Sequence, residues 1–207
     1  MIRLSKSATL VCVDTVNVWR SLPIVVRMLG EIQVAKALFF IGPNEPEINL
    51  PGLEFVRLSG VADLETENRF HVCDLHRYVS TEMAWTVEWD SDLIRPEAWD
   101  PAFLEVDWIG APWDRQGKFR VGNSGFALQS LGMLRAMAAH STEFLPKYYP
   151  YDVTACERLR PVFEAEGLTW ASEDLAKRFS WEKSKAYASY NGALGVHGLK
   201  ARKDFLR

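Results

Sequence analysis

Short apolar runs that stop at polar or turn residues recur along this chain and limit the folds open to it. The first run reads Ala-Thr-Leu-Val-Cys-Val and ends at Asp14, as expected for a buried strand. Strands that alternate with helical apolar spacings are typical of an α/β protein with a mainly parallel sheet flanked by helices. Pro23 is expected to kink or restart the first helix. The predicted strands are residues 8–13, 37–41, 53–58 and 83–87, and the predicted helices are 17–29, 63–79, 131–139 and 152–166.

The composition fits one domain with one buried core, at 207 residues, 48% hydrophobic and 25% charged. A net charge of -3 gives no overall attraction to nucleic acid or to an anionic membrane, so such contacts need a local patch. Cys12, Cys73 and Cys156 lack the spacing of a zinc site or a disulfide framework, which favours a reducing compartment. No apolar run approaches the length of a membrane span. We therefore expect a cytoplasmic protein without a membrane span.

Three acids follow the predicted strand at 83–87 directly, namely Glu88, Asp90 and Asp92. In an extended chain the carboxylates of Asp90 and Asp92 point to the same side, about 7 Å apart. At a bend they could converge on one cation, and oxygen ligands suit Mg²⁺ or Mn²⁺. The same tripeptide is also common in surface turns. Both interpretations are open on this motif alone.

Two motifs in the second half of the chain carry a resemblance, Ile-Gly-Ala-Pro-Trp at 109–113 and Gly-Asn-Ser-Gly-Phe at 122–126. Together with Trp-Asp-Ser-Asp at 89–92, they resemble a family of predicted glycosyltransferases with the GT-A fold. The resemblance implies a GT-A-like, Rossmann-related sheet in a single domain, 1–207. Residues 1–95 would bind the nucleotide sugar and 96–207 would face the acceptor. The motifs that follow in the family's order are Tyr-Asp-Val at 151–153, Phe-Ser-Trp-Glu at 179–182 and Gly-Val-His-Gly at 195–198.

Roles for individual residues follow from this resemblance. Asp90 and Asp92 would hold Mn²⁺ or Mg²⁺ on the diphosphate of a nucleotide sugar, most simply a UDP-sugar, and His197 would complete the metal shell. Asp152 matches the acid that supplies the catalytic base in inverting members. Asp152 could alternatively cap the helix predicted after it. Tyr151 stands where the family usually has a glutamate.

Further candidates for donor contacts lie at other strand ends and in the motifs. The polar residues after the first strand would face the nucleoside, although they could equally begin the next helix. Trp113 is the tryptophan that we favour for stacking on a ligand, while most of the eight tryptophans are expected in the core. The donor-binding candidates are Asp14, Thr15, Asn17, Asn123 and Trp113, in addition to Asp90 and Asp92.

The acceptor is open between two classes. Basic residues at 115–120 and 200–203, with Arg207, could cradle phosphates, which would suit a hydroxymethylated pyrimidine in phage DNA. The same residues could be solvated surface charge on an enzyme that glycosylates a cell-surface glycan.

Two other classes of function compete with sugar transfer. A metal-dependent phosphoesterase or nuclease could use Asp90, Asp92, Asp152 and His197, although a two-metal site needs further clustered acids. A non-catalytic nucleotide-sugar binder would keep the fold and lack the base.

Overall fold

The chain folds around a central six-stranded sheet, and three further strands form a second, smaller sheet. The structure is a computed structural model that describes residues 1–45, 48–115 and 117–205. Gln116 and Arg207, both in the basic segments, lie outside the described residues. The strands are β1 (Ile2–Asp14), β2 (Ile32–Ile41), β3 (Glu54–Arg57), β4 (Met83–Val87), β5 (Asp92–Leu93), β6 (Trp108–Ile109), β7 (Phe126–Ser130), β8 (Ser180–Glu182) and β9 (Gly195–His197).

The central sheet has the order β3-β2-β1-β4-β7-β6. It is mainly parallel, as predicted. Strands β3, β2, β1 and β4 are parallel, whereas β7 runs antiparallel to both β4 and β6. Because β7 is antiparallel, its first residue, Phe126, pairs with the last residue of β4, Val87. The ends of β1 and β4 and the start of β7 therefore meet at one edge of the sheet.

Helices form at all four predicted positions, but three differ from the prediction: 17–29 is not broken at Pro23, 63–79 ends as an α-helix at Cys73, and 152–166 is divided. The helix predicted at 152–166 is divided into α4, a π-helical turn at Thr154–Arg158, and α5, because Pro161 has no N–H to donate and starts a new helix. Helix α1 continues through Pro23, and α2 ends before a short 3-10 turn at Leu75–Arg77. The helices are α1 (Val18–Glu31), α2 (Leu64–Cys73), α3 (Leu131–Ala139), α4 (Tyr151–Val153), α5 (Arg160–Ala165), α6 (Glu173–Phe179) and α7 (Leu199–Arg202).

Both faces of the sheet are covered by apolar side chains, as the continuous apolar strands predict. Trp85 lies in the core on the side of α1, where its ring contacts Phe126 and Phe179. Trp108 lies in the core on the side of α3. Both tryptophans are fully buried, so they stabilise the fold and are not available to a ligand. None of the helices in the described part of the chain has the length and hydrophobicity to span a bilayer.

The glycines of the two motifs permit close packing between the segments that carry them. A Cβ on Gly110 would lie 2.1 Å from the carbonyl oxygen of Asn123, and one on Gly122 would lie 2.0 Å from the ring of Trp113. Neither distance is possible for real atoms, so a larger residue would force the segments apart. The motifs at 109–113 and 122–126 thus pack against each other in three dimensions.

Replacement of Gly110 tests this packing. We expect Gly110→Ala to lower the free energy of unfolding by about 2–3 kcal/mol, because the obstructing atoms are backbone and cannot rotate away. Gly30→Ala is the matched control: Gly30 has no atom within 4 Å of its Cβ position and lies in α1, where alanine is favoured over glycine. Urea denaturation of both variants gives the comparison. Equal midpoints would contradict the packing interpretation.

Candidate active site

A cleft of about 270 Å³ opens at the sheet edge where β1 and β4 end and β7 begins. Its floor includes Val13, Glu88 and Gly125, and its walls include residues of α2, the segment 149–152 and His197 of β9. Three separate parts of the sequence therefore converge on one cavity, at Glu88, Asp152 and His197. The sheet edge at the carboxyl ends of parallel strands is the usual location for a ligand site in such folds.

Glu88 and His197, which line the cleft, form a compact cluster with Asp90. One possible ligand atom from each lies within 4.8 Å of the others. The Nε2 atom of His197 is 3.7 Å from Oε2 of Glu88 and 3.6 Å from Oδ1 of Asp90. The hydroxyl of Ser91 accepts from the backbone N–H of Glu88 at 3.0 Å and donates to its carbonyl at 2.7 Å, which fixes the turn that carries both acids.

His197 reaches the cluster because Gly125 leaves room for its ring. A Cβ on Gly125 would lie 2.1 Å from Nε2 of His197, so any side chain there would displace the imidazole. Strand β9 is held in place by parallel pairing with β8 and antiparallel pairing with β5. The second glycine of the motif at 122–126 thus defines the position of a site residue.

The charges in the cluster are unbalanced. Burial alone would lower the pKa of His197, but its close contact with Glu88 and the negative charge of Glu88, Asp90 and Glu182 raise it to about 9. Burial raises the pKa of Asp90, with a smaller opposing effect of His197, and burial likewise raises the pKa of Glu182. Burial also acts to raise the pKa of Glu88, yet its contact with His197 brings it below the usual range. Three carboxyl groups thus surround one imidazole, and burial disfavours the ionised forms of Asp90 and Glu182.

The residues of the cluster fit a divalent cation. Oδ1 of Asp90 and both ring nitrogens of His197 are buried and have no hydrogen-bond partner among the described residues. Buried polar atoms without partners are costly, and carboxylate and imidazole atoms are suitable ligands for Mn²⁺. A bound cation would replace the proton on Nε2 of His197, would satisfy that nitrogen and Oδ1 of Asp90, and would favour the ionised forms of the carboxyl groups.

Asp92 lies apart from this cluster. Its carboxylate accepts two hydrogen bonds from the guanidinium of Arg27, at 3.0 Å and 2.5 Å, and lies 4.0 Å from Nε of Arg202. Because the chain turns at Ser91 and enters β5, where Asp92 pairs with Val196, the Asp92 side chain is committed to an ion pair. The structure therefore does not bring Asp90 and Asp92 together, and Glu88 lies where the sequence interpretation expected the second acid.

The polar residues at the end of β1 contact the start of α1 and do not face the cleft. The carboxylate of Asp14 accepts from the backbone N–H of Asn17 at 2.9 Å, from the hydroxyl of Ser21 at 2.5 Å and from Arg20 at 3.3 Å. Asn17 is exposed, Thr15 is half-buried, and neither lines the cleft, nor does Asp14. Arg20, which the sequence analysis did not select, does line it.

Of the two donor-binding candidates in the motifs, Asn123 lines the cleft and Trp113 does not. Asn123 lines the cleft, and its side chain accepts from the backbone N–H of Gly125 at 3.1 Å and donates to Glu182 at 2.9 Å. Trp113 is buried against Gly122, with the guanidinium of Arg115 over its ring at 4.2 Å, and it is not part of the lining. The tryptophan that does line the cleft is Trp89, which stacks with Arg20 at 4.4 Å.

Asp152 lies in the cleft at the beginning of α4. Its Oδ1 accepts from the backbone N–H of Val153 at 2.8 Å. Burial raises its pKa to about 6, and the charge of Glu88 adds to this effect. A carboxylate with this pKa is ionised at neutral pH and is still basic enough to take a proton from a substrate hydroxyl.

Helix α2 adds two titratable residues that the sequence analysis missed. Burial and the nearby charge of Glu88 raise the pKa of Glu67 to about 8, and burial lowers the pKa of His71 to about 4. His71 stacks on the ring of Tyr151 at 5.0 Å with an interplanar angle of 10°. The spacing of four residues between Glu67 and His71 on one helical face was the available signal.

Several cations of the basic segments are already paired with protein atoms. Arg115 contacts Glu157 at 3.0 Å, and Arg120 donates to the hydroxyl of Tyr187 at 2.8 Å. Arg202 donates to the carbonyl of Trp89 at 2.8 Å. These contacts give no support to a DNA-binding surface.

Comparisons with known proteins agree with the architecture. A solved structure described as a glycosyltransferase involved in the glycosylation of the major capsid of PBCV-1 matches with a TM-score of 0.58 at 12% identity, over 96% of each chain. The apo-form glycosyltransferase GlyE of Streptococcus pneumoniae TIGR4 matches with a TM-score of 0.38 at 12% identity, over 82% of this chain and 41% of that one. No curated protein matches the sequence. The first match shows that the chain has a glycosyltransferase-like fold.

Comparison of the sequence with protein-family models identifies the family of the chain. A family described as "Protein of unknown function (DUF5672)" matches residues 55–197, and the chain belongs to it. The matched region runs from β3 to His197 and includes the acids after β4 and Asp152.

Replacing Asp90 and Asp92 separately by asparagine should distinguish the roles of the two acids. We expect Asp92→Asn to lower the free energy of unfolding by about 1–2 kcal/mol, because it weakens two hydrogen bonds from Arg27, whose side chain is 46% exposed, to the buried Asp92 carboxylate. Asp90→Asn should leave the stability unchanged or raise it, since its charge is buried beside Glu88. Urea denaturation in the presence of a chelator measures both. Equal losses in the two variants would contradict this assignment.

Proposed function

We propose that the protein is a metal-dependent glycosyltransferase that moves a sugar from a nucleotide-sugar donor to an acceptor hydroxyl with inversion. The observation that carries the proposal is that Glu88, His197 and Asp152 line one cleft at the edge of a glycosyltransferase-like sheet, with Asp90 close to Glu88 and His197. A cation-binding group and a base in one cavity are the two elements that such a transfer needs.

The donor diphosphate would lie at the Glu88 side of the cleft. Glu88, Asp90 and His197 would hold Mn²⁺ or Mg²⁺, which when bound neutralises charge on a departing diphosphate. The two acids are pre-positioned by the Ser91 turn, and His197 is fixed over Gly125. Arg20 stacks on Trp89 at the same end, where its guanidinium adds positive charge. We propose a UDP-sugar as the donor, bound mainly by residues 1–95, with 96–207 on the acceptor side.

Asp152 would act as the base. Its carboxylate takes the proton of the acceptor hydroxyl while the hydroxyl oxygen bonds to the anomeric carbon. The bond from that carbon to the diphosphate oxygen breaks, and the nucleoside diphosphate leaves with the electron pair. Attack from the face opposite the leaving group inverts the anomeric configuration. The raised pKa of Asp152, about 6, suits this role near neutral pH.

Nothing specific in the site favours the competing functions. Glu88, Asp90 and His197 are the one group of three close metal-ligand residues in the described part of the chain, whereas a two-metal phosphoesterase needs more. Incubation with a nucleotide sugar alone, compared with a phosphodiester such as bis-p-nitrophenyl phosphate, separates transfer chemistry from phosphoester cleavage.

The donor and the metal can be tested together by thermal unfolding. We expect a matching nucleotide sugar to raise the melting temperature only with Mn²⁺ present. At a nucleotide-sugar concentration of 100 times Kd, the free energy of unfolding should rise by about 2.7 kcal/mol. Asp90→Asn and His197→Ala should lose the metal-dependent part. Asp92→Asn is the control and should keep it, because its carboxylate is bound to Arg27. A shift that survives Asp90→Asn and His197→Ala would refute the metal site.

The base can be tested by Asp152→Asn. We expect transfer to fall about 10²- to 10⁴-fold while the donor-induced shift persists, because the amide keeps the shape and loses the proton acceptor. In the wild type, kcat/KM should decline as the pH falls through about 6, where Asp152 becomes protonated. Asp174→Asn, at a side chain 97% exposed, is the control. Transfer that survives in Asp152→Asn would show that another group is the base.

A further inference from the structure

The wall of the cleft beside Asp152 is built from α2 and the segment that leads into α4, and hydrogen bonds tie the two together. The carboxylate of Glu65 accepts the backbone N–H of Tyr149 at 3.1 Å. The side-chain oxygen of Asn68 accepts the backbone N–H of Tyr151 at 2.9 Å. These bonds fix the backbone on both sides of Pro150, so Tyr149 and Asp152 are held in defined positions against α2.

Two large apolar side chains are exposed at the mouth of the cleft on this wall. Leu64, at the start of α2, is 59% exposed, and Tyr149 is 43% exposed. Both line the cleft, together with Pro150. Exposed apolar groups that border a polar cavity often mark a ligand contact, and the face of an aromatic ring suits the C–H face of a sugar. The base therefore has an apolar platform beside it.

The same wall offers no cation to an anionic ligand. Burial raises the pKa of Glu67 to about 8 and lowers that of His71 to about 4, so both are neutral at pH 7, whereas Asp152, with a pKa of about 6, is ionised. Arg20, across the cleft, is paired with Asp14 and stacked on Trp89. A phosphate or carboxylate would meet like charge here.

One nearby cation lies outside the lining. The ammonium group of Lys147 is 5.3 Å from the centre of the Tyr149 ring, and Lys147 is exposed and does not border the cavity. Lys147 therefore gives the cleft no cation that could bind an acceptor's anionic group.

We propose that this wall is the acceptor subsite and that it takes a neutral saccharide, whose C–H face packs on Tyr149 and Leu64 while one hydroxyl meets Asp152. The inference rests on the proposed function and narrows it, since an acidic sugar or a DNA acceptor would be repelled. The acceptor hydroxyl then loses its proton to Asp152 as its oxygen forms the new glycosidic bond.

A binding comparison tests the charge argument. The protein is saturated with Mn²⁺ and with whichever of UDP, GDP or dTDP stabilises it most, and is applied to an array of immobilised glycans. The array carries neutral hexose ends, matched uronic-acid ends and duplex DNA with 5-hydroxymethylcytosine. We expect retention on neutral ends, with at least about tenfold weaker binding to the matched uronides and to DNA. Preferential retention on anionic ends or DNA, or no retention on any neutral glycan, overturns the inference.

Substitution of Tyr149 tests the platform. We expect Tyr149→Ala to weaken binding of the retained neutral saccharide about five- to tenfold, while Tyr149→Phe, which keeps the ring, stays within about twofold. Trp19→Ala is the control, because Trp19 is 60% exposed and lies outside the cleft lining. The donor-induced thermal shift should be the same in all variants. Unchanged saccharide binding by Tyr149→Ala overturns the platform assignment.

Failure of this inference is distinguishable from failure of the proposed function. A protein that shows the Mn²⁺-dependent shift with a nucleotide sugar but prefers anionic acceptors retains its donor site and refutes only the acceptor class. A protein that shows no such shift refutes the proposed function itself.

Discussion

The antiparallel pairing of β7 with β4 is the constraint on which the rest of the site depends. It brings the turn at 122–126 to the end of β4, where the backbone N–H of Glu88 donates to the carbonyl of Gly125 at 2.8 Å. The bare α-carbon of Gly125 then leaves space for His197. With β7 parallel, this turn would lie at the opposite edge of the sheet, and the cluster could not assemble.

The cleft concentrates negative charge that the protein itself balances only in part. Burial disfavours the ionised forms of Asp90, Glu182 and Asp152, whereas His197 is held protonated by the surrounding carboxylates. An arrangement of this kind stores unfavourable electrostatic energy in the ligand-free protein. The proposed cation would relieve this energy on one side of the cleft, and the proposed neutral acceptor would avoid adding to it on the other.

The glycine motifs combine structural and functional constraints. Gly110 and Gly122 allow backbone and ring packing away from the cleft, whereas Gly125 acts through the position of an imidazole. Asn123 has φ of 45° and bridges Gly125 and Glu182, so its side chain stabilises the turn. A motif that marks a family can therefore be explained largely by close packing around a site.

The sequence alone predicted the four strands that became β1 to β4, the first three helices and the acids at the end of β4, because those features follow from local apolar patterning and from strand ends. It also indicated Asp152 and His197 through the resemblance. Only the tertiary structure decided which acids face each other: Asp92 is taken up by Arg27, 65 positions away, and Glu88 takes its expected place. Likewise Trp113 is buried and Trp89 lines the cleft. The partner of a side chain depends on how distant segments pack, and no local pattern contains that information.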